Sequence, residues 1–166
     1  MARMNVQSNA GYVKIKSRDP TDMPEINIAQ YESPIGGDVD LGAMMDSVAW
    51  IRRNMAALSA PFGPIENIIE PPCPSGWDRS TGYCSEPEED KQWIYEQSFG
   101  HHVVGTCKIG QAHDPLAVVD SKFRVHGTTG LRVVDASIFP ISPGGFPVLP
   151  TVIIGQKASQ DILADA

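Results

Sequence analysis

The segment from Asp40 to Leu58 carries the longest regular pattern of the sequence and constrains the fold most. Its apolar residues recur at three- and four-residue spacing, which is typical of one face of an α-helix. These residues are Leu41, Met44, Met45, Val48, Ile51, Met55 and Leu58. We therefore predict an amphipathic helix from Asp40 to Leu58, in which the flexible methionines fill the core.

Two strand-like segments precede this helix. Residues 11–17 (GYVKIKS) alternate apolar and polar side chains, and residues 25–31 (EINIAQY) do so again after the turn-forming sequence DPTDMP. Alternation with period two is typical of half-buried strands. We expect these segments to form an antiparallel pair.

The middle of the chain is predicted to be a long loop followed by a short helix. Residues 60–84 are rich in Pro and Gly and should be mostly irregular. Ser85 and Glu88 match a capping box, which predicts a helix from Glu86 to Gln97. Trp93 would lie on its buried side.

Short β-branched runs separated by glycine follow His101 (HVVGTCKIG, AVVD, FRVHG and LRVVDASIF). Such runs predict buried strands joined by tight turns. A last helix is expected from Thr151 to Ala164, with Thr151 as its cap. Its packing face would consist of Val152, Ile153, Gly155 and Ala158.

These segments together predict an α+β fold, with an antiparallel or mixed sheet and two or three helices. The 166 residues, of which 42% are hydrophobic, suffice for one domain with a real core. We therefore expect a single domain over residues 1–166.

Charge and hydropathy limit the kinds of partner and the compartment that we expect for this protein. A net charge of -7 and a pI of about 4.9 argue against nucleic acid or an anionic membrane surface, and a neutral or cationic small molecule fits better. The sequence has no apolar run of about 18 residues and no signal-peptide core at its start. We expect a cytoplasmic protein.

The three cysteines leave two possibilities open. Cys73 and Cys84 bracket a Pro- and Gly-containing segment that a disulfide could close, while Cys107 lies in an apolar stretch. Because cytosolic disulfides are uncommon and no secretion signal is present, free thiols are favoured.

Several motifs resemble the C-terminal region of glucose-methanol-choline (GMC) flavoprotein oxidoreductases. They are HHVVGTCKIG (101–110), DPLAVVDSKFRVHGTTGLRVVDASIFP (114–140) and PTVIIGQKASQDIL (150–163), in that order. The resemblance implies a truncated GMC C-terminal, substrate-type domain. Residues 10–100 would correspond to the substrate half, and residues 101–166 to segments that complete the FAD half.

The resemblance also implies a catalytic base. The His before the VGTC-type motif removes the proton of the substrate alcohol in the family, and by register that residue is His102. An imidazole with a pKa near 6.5 suits proton transfer at neutral pH. We interpret His101 and His126 as structural or surface residues.

Two departures from the family pattern argue against inherited redox chemistry. The second catalytic position, His or Asn in the family, is Phe146 here, and a phenyl ring cannot exchange a proton. The sequence also contains no GxGxxG fingerprint for a dinucleotide. We expect no cofactor on this chain alone. If a partner supplied a flavin half, the flavin contacts implied by the resemblance would be Asp135, Ala136, Phe146 and Pro147.

Other chemistries have weaker support. His101, His102 and Cys107 lack zinc-ligand spacing, so no metal site is predicted. No G-x-S-x-G elbow surrounds a serine. The acidic run EPEED is most simply a solvated helix start.

Three functions remain open at the level of the sequence. The first is cofactor-independent acid/base catalysis on a small molecule, such as isomerisation, dehydration or cyclisation. The second is one piece of a split FAD-dependent alcohol oxidase or dehydrogenase, completed by a polypeptide with the FAD half. The third is a non-catalytic binding module or gene fragment.

A pocket and an assembly follow as further expectations. Segments that a flavin half would cover should expose apolar surface, so we expect a homodimer, or alternatively a polypeptide carrying the FAD half. The predicted pocket has His102 as its polar group. Its aromatic lining would be Trp93, Tyr95, Phe99, Phe139 and Phe146.

Overall fold

A computed structural model describes residues 11–32, 36–65, 68, 70–100 and 102–165. The chain divides into two compact units. We call the first, chiefly Glu25–Phe99, the helical unit, and the second, Val13–Pro24 with Gly100–Ala166, the carboxyl-terminal unit. The single domain over residues 1–166 and its subdivision at residue 101 stay predictions.

Strands β1 (Tyr12–Lys14) and β2 (Glu25–Asn27) form a small two-stranded antiparallel sheet. The hydroxyl of Tyr12 donates a hydrogen bond of 2.6 Å to the Glu25 carboxylate. The predicted antiparallel pair is confirmed, although each strand has three residues and is shorter than expected. With three helices in addition, the predicted α+β class is confirmed.

Helices α1 (Gly37–Ala56) and α2 (Pro87–Gln97) build the core of the helical unit. Tyr31, Leu41, Val48 and Ile94 form its buried cluster, and Met44, Met45 and Trp93 pack against it. Both helices were predicted within a few residues of their ends, and Trp93 lies half-buried as expected.

The predicted capping box at Ser85 is wrong. Glu86, one residue later, is the N-cap of α2, and its side chain makes no capping hydrogen bond. The Glu86 amide instead donates to the hydroxyl of Ser75 at 3.1 Å. A loop residue distant in sequence thus takes the role expected of a local motif.

A buried ion pair joins α1, α2 and the loop between them. Arg52 donates to both carboxylate oxygens of Asp90, at 2.7 and 3.0 Å, and both side chains are 0% exposed. Arg52 also donates to the carbonyls of Gly82 and Pro71. The Asp90 carboxylate accepts the amide of Cys84 as well. The described part of residues 60–84 forms no helix or strand, as predicted. Hydrogen bonds to Arg52 of α1 and Asp90 of α2 nevertheless hold it in place.

Cys73 and Cys84 form a disulfide, with their Cα atoms 5.7 Å apart. The preference for free thiols at these positions is therefore wrong, whereas Cys107 is free. The separation lies within the range that a disulfide requires. Hydrogen bonds of the loop to α1 and α2 bring the two cysteines together, and sequence spacing alone does not reveal this.

The carboxyl-terminal unit has a core of Val119, Phe123, Ile138 and Ala158. The strands predicted after His101 are wrong: the β-structure of residues 102–165 is limited to isolated bridges, such as the one between Ile109 and Val119. Turns lie between the bridged residues and keep the bridges from extending into strands. The Asp120 carboxylate accepts the amides of Lys122 and Arg124, at 2.8 and 3.0 Å. The chain thereby reverses before a strand can extend.

Helix α3 (Val148–Ala164) closes this unit. Pro147 is its N-cap, so the predicted cap at Thr151 is wrong, and the Thr151 hydroxyl donates to the Pro147 carbonyl. Of the predicted packing face, Ala158 is buried, while Val152 and Ile153 are exposed. Within the described residues, none of the helices combines the length and apolarity needed to cross a bilayer.

Candidate functional site

His102 lies in an irregular, exposed segment that precedes an anchored stretch. The amides of Cys107 and Ile109 donate to the carbonyls of Ser137 and Ile138, both at 2.9 Å. This attaches the stretch to a short 3₁₀-helix, Ala136–Ile138. His101 lies outside the described residues. His126 is partly buried, with its Nε2 3.1 Å from the Gly110 carbonyl oxygen, which agrees with a structural role.

Phe146 contacts the imidazole of His102. The ring centroids are 5.8 Å apart and the ring planes meet at 87°, which is an edge-to-face arrangement. Phe146 follows Gly144 and Gly145, whose φ angles of 79° and 44° favour glycine. It precedes the buried Pro147, where α3 begins. A bend at two glycines, directly before the start of α3, therefore places the phenyl ring against His102.

The remaining predicted pocket residues occupy both units. In the helical unit, Trp93 donates to Glu70 at 2.6 Å, Tyr95 stacks edge-to-face on Tyr31, and Phe99 is exposed. In the carboxyl-terminal unit, Phe139 is half-buried at the end of the 3₁₀-helix. The structure brings together His102 and Phe146. A pocket formed by all six residues stays a prediction.

The proposed flavin-contact positions lie at the starts of two helices, Asp135 and Ala136 at the 3₁₀-helix and Phe146 and Pro147 directly before α3. The Asp135 carboxylate accepts the Ser137 amide at 2.7 Å and so caps the 3₁₀-helix that begins at Ala136. This hydrogen bond joins Asp135 to a residue two positions later in the chain. Pro147 is buried at the N-terminus of α3, which has no side-chain cap.

A shallow cleft of about 590 Å³, which sequence reasoning missed, lies elsewhere in the carboxyl-terminal unit. Its lining includes His126, Arg124 and Arg132, but neither His102 nor Phe146. Its charges are paired: Asp120 binds Arg124, and Asp165 binds Arg132 at 2.7 Å. A hydrogen bond from Lys122 lowers the pKa of Asp165. The acidic and basic side chains named here are thus paired with one another.

Among the described residues, one cluster has the composition of a metal site. The possible ligand atoms of Cys73, Cys84 and Glu89 lie within 4.8 Å of one another. Because the two sulfurs are bonded to each other, they offer no thiolate to a metal.

Comparison with known proteins identifies the family. The family model for GMC oxidoreductases matches residues 7–155 of this chain. The chain belongs to the GMC oxidoreductase family. It corresponds to the C-terminal region of the family's members.

Relatives that match nearly the whole chain have oxidoreductase names. A glucose methanol choline oxidoreductase of Aspergillus terreus is 30% identical over 98% of this chain and 24% of its own length. A 5-(hydroxymethyl)furfural oxidase of Methylovorus is 32% identical over 98% of this chain and 30% of its own length. The chain thus spans less than a third of either relative.

A relative with another name shows higher identity over a shorter region. Versicolorin B synthase of Emericella nidulans is 47% identical over 46% of this chain and 12% of its own length. The structure of a fungal aryl-alcohol oxidase has a TM-score of 0.70 at 23% identity, covering 93% of this chain and 23% of the other. This likeness shows the fold.

The family implies FAD, and the residues of this chain do not suffice to hold it. A Cβ added at Gly37, at the start of α1, would meet the backbone of Tyr31 and Glu32 at 2.2–2.3 Å. That glycine therefore admits the chain's own backbone, which leaves no room there for a phosphate. With no GxGxxG turn in the 166 residues, the pyrophosphate cradle is absent from them.

Proposed function

We propose that this region contributes the proton-transfer residue of an enzyme acting on a small organic molecule, and that the reaction is acid/base chemistry without net oxidation. His102 takes a proton from one substrate atom and returns it to another. Isomerisation, dehydration and cyclisation are reactions of this kind. The substrate is then neither oxidised nor reduced overall, with water as the leaving group in the case of dehydration, and no redox cofactor takes part.

The contact between His102 and Phe146 carries this proposal. The imidazole can accept and donate a proton, whereas the phenyl ring set against it can do neither. Alcohol oxidation in the family, as implied by the resemblance, uses a second polar residue at this position. The synthase name of the relative with 47% identity is a further argument for chemistry other than oxidation.

The test compares two histidines in the carboxyl-terminal unit. His102→Gln should abolish turnover of the substrate, identified by incubating the protein with metabolite extracts and following consumption by mass spectrometry. His113→Gln, at an exposed turn, should leave turnover unchanged. Equal turnover in both variants would disprove the role of His102.

A second candidate is FAD-dependent oxidation of an alcohol, with the dinucleotide-binding half supplied from outside these 166 residues. The oxidoreductase names of the relatives that match nearly the whole chain favour it. Co-purification with a GMC dinucleotide-binding half should then give a yellow complex that oxidises an alcohol. A colourless, inactive mixture would count against this candidate.

A further inference from the structure

We propose that the loop between Cys73 and Cys84 binds a zinc ion when its disulfide is reduced, with the two thiolates and the Glu89 carboxylate as ligands. The site lies in the helical unit and does not depend on the function proposed for His102. In the oxidised protein, the bond between the two sulfurs closes the same loop. The redox state therefore decides whether a covalent bond or a metal ion closes it.

The three side chains have the separations that a zinc site needs. Their possible ligand atoms, two sulfurs and one carboxylate oxygen, lie within 4.8 Å of one another. In a tetrahedral site with Zn–S bonds of about 2.3 Å, the two sulfurs are about 3.8 Å apart. The Cα atoms of Cys73 and Cys84 are 5.7 Å apart, and rotation of the side chains is then enough to reach this distance after reduction.

Backbone hydrogen bonds that are independent of the disulfide hold the two cysteines near each other. The Cys73 carbonyl accepts the Gly76 amide at 2.9 Å, and the Gly76 carbonyl accepts the Ser85 amide at 2.8 Å. The Cys84 amide donates to the Asp90 carboxylate at 3.2 Å. Reduction breaks none of these bonds, so both thiols should stay beside the start of α2.

Ser75, a residue of the same loop, orients the third ligand. Its hydroxyl and its amide donate to Oε2 of Glu89, at 2.8 and 3.2 Å. Carboxylates that bind metals are usually held by hydrogen bonds of this kind, which fix their orientation. The Glu89 carboxylate therefore needs little reorganisation to bind a metal.

Reduction by a dithiol supplies the two thiolates. A thiolate of the reductant attacks the sulfur of Cys73, which is less buried than Cys84, and the Cys84 sulfur leaves as a thiolate. The second thiol of the reductant then closes its own disulfide and releases Cys73, so that two electrons pass to the protein. Zinc binds both sulfurs as thiolates, and the protons they carried pass to the solvent.

The ligand set favours zinc over the common alkaline-earth ions. Thiolates suit zinc, whereas magnesium and calcium prefer oxygen ligands. Three protein ligands leave a fourth tetrahedral position, which water occupies in open zinc sites.

Zinc titration of the 166-residue chain, with and without reduction, tests the proposal. A phosphine is the suitable reductant, since it is oxidised to the phosphine oxide with oxygen from water and adds no competing thiol. We expect the reduced chain to bind one zinc ion with a Kd of about 1 µM or lower, and the oxidised chain to bind roughly 100-fold more weakly. Bound zinc should raise the unfolding midpoint of the reduced chain. Cobalt in place of zinc should show thiolate-to-metal charge-transfer absorption.

Two glutamates of α2 form a matched pair of variants. Glu89→Gln removes the carboxylate but keeps an acceptor for Ser75, and it should weaken zinc binding by about 10-fold or more. Glu88→Gln, at an exposed position, should change the affinity by less than about 2-fold. Cys73→Ser should abolish tight binding, whereas Cys107→Ser should leave it unchanged.

Four results would overturn the proposal: no binding by the reduced chain at micromolar zinc, equal binding by the oxidised chain, equal weakening in the two glutamate variants, or competition by magnesium as strong as that by cobalt. Circular dichroism covers the case in which reduction unfolds the helices. Zinc should then restore them, and helices that stay unfolded with zinc present would also overturn the proposal.

Discussion

The two units of this chain differ in the burial of their ion pairs, although both expose large apolar side chains, such as Trp50 in the helical unit. In the helical unit, a fully buried Arg52–Asp90 ion pair and a disulfide fasten an irregular loop to two helices. In the carboxyl-terminal unit, ion pairs lie nearer the surface, and large apolar side chains along α3 are exposed. The difference shows where the loss of one charge should be most costly, because a buried partner left unpaired is penalised more than an exposed one.

The largest effect is expected at the buried ion pair. Asp90→Ala should lower the free energy of unfolding by about 3–5 kcal/mol, because it leaves the Arg52 charge buried and unpaired. Urea denaturation measures this loss. Glu88→Gln on the same helix is a matched control, since Glu88 pairs with Lys91 at the surface and should contribute at most about 1 kcal/mol. Equal losses of unfolding free energy in the two variants would show that burial does not increase the cost of removing one charge.

Loss of the disulfide should have the next largest effect. Cys73→Ser should cost about 2–3 kcal/mol, because the unfolded chain is no longer constrained by a closed loop of this length. Reduction of the native protein by a dithiol should give the same loss in thermal unfolding. The free Cys107 provides the control, and Cys107→Ser should respond to the reductant as the native protein does. A stability that reduction leaves unchanged would contradict the prediction.

The exposed face of α3 should matter for assembly more than for stability. The sequence predicts a homodimer, and we now propose that two copies of the chain associate through this face. Val152→Glu should then shift the molar mass measured by light scattering to that of a monomer, with a stability change within about 0.5 kcal/mol. Gln160→Glu, another exposed position of α3, should leave the mass unchanged. A native chain that is already monomeric would rule out the dimer.

The smallest effect concerns acid stability of the carboxyl-terminal unit. A hydrogen bond of 2.6 Å from Lys108 lowers the pKa of Asp114 below its ordinary value. This stabilisation is present above the unfolded pKa of about 3.9 and is lost as the pH falls through the lower folded pKa. Asp114→Asn should therefore reduce stability slightly at pH 6 and flatten its decline below pH 4. Unfolding midpoints between pH 6 and pH 2 would reveal an unchanged slope if the prediction is wrong.

Local patterns predicted the helices well. The spacing of Leu41, Met44 and Val48 identified α1, and the apolar run after Pro150 identified α3, because helical periodicity is encoded in neighbouring residues. The β-branched runs after His101, by contrast, led to a wrong prediction of strands. Asp120 and the glycines turn the chain so often that these runs form single bridges.

The candidate site likewise has features that the sequence predicted and features that it did not. Family motifs pointed to His102 and to the altered position Phe146, and the structure places their rings in contact. Trp93, Tyr95 and Phe99 belong to the helical unit, so their part in the pocket stays a prediction. The Cys73–Cys84 bond was misjudged because the compartment, and not the geometry, guided that interpretation.

The sequence by itself determined the family, the α+β class and the residue types at the candidate site, since these depend on motifs and short-range periodicity. Tertiary structure decided which residues form long-range contacts and which are exposed. Arg52 reaches Asp90 across 38 positions, and the Phe146 ring meets His102 through a turn whose backbone only glycine readily adopts. Such contacts depend on how distant segments pack, and no local pattern in the chain records them.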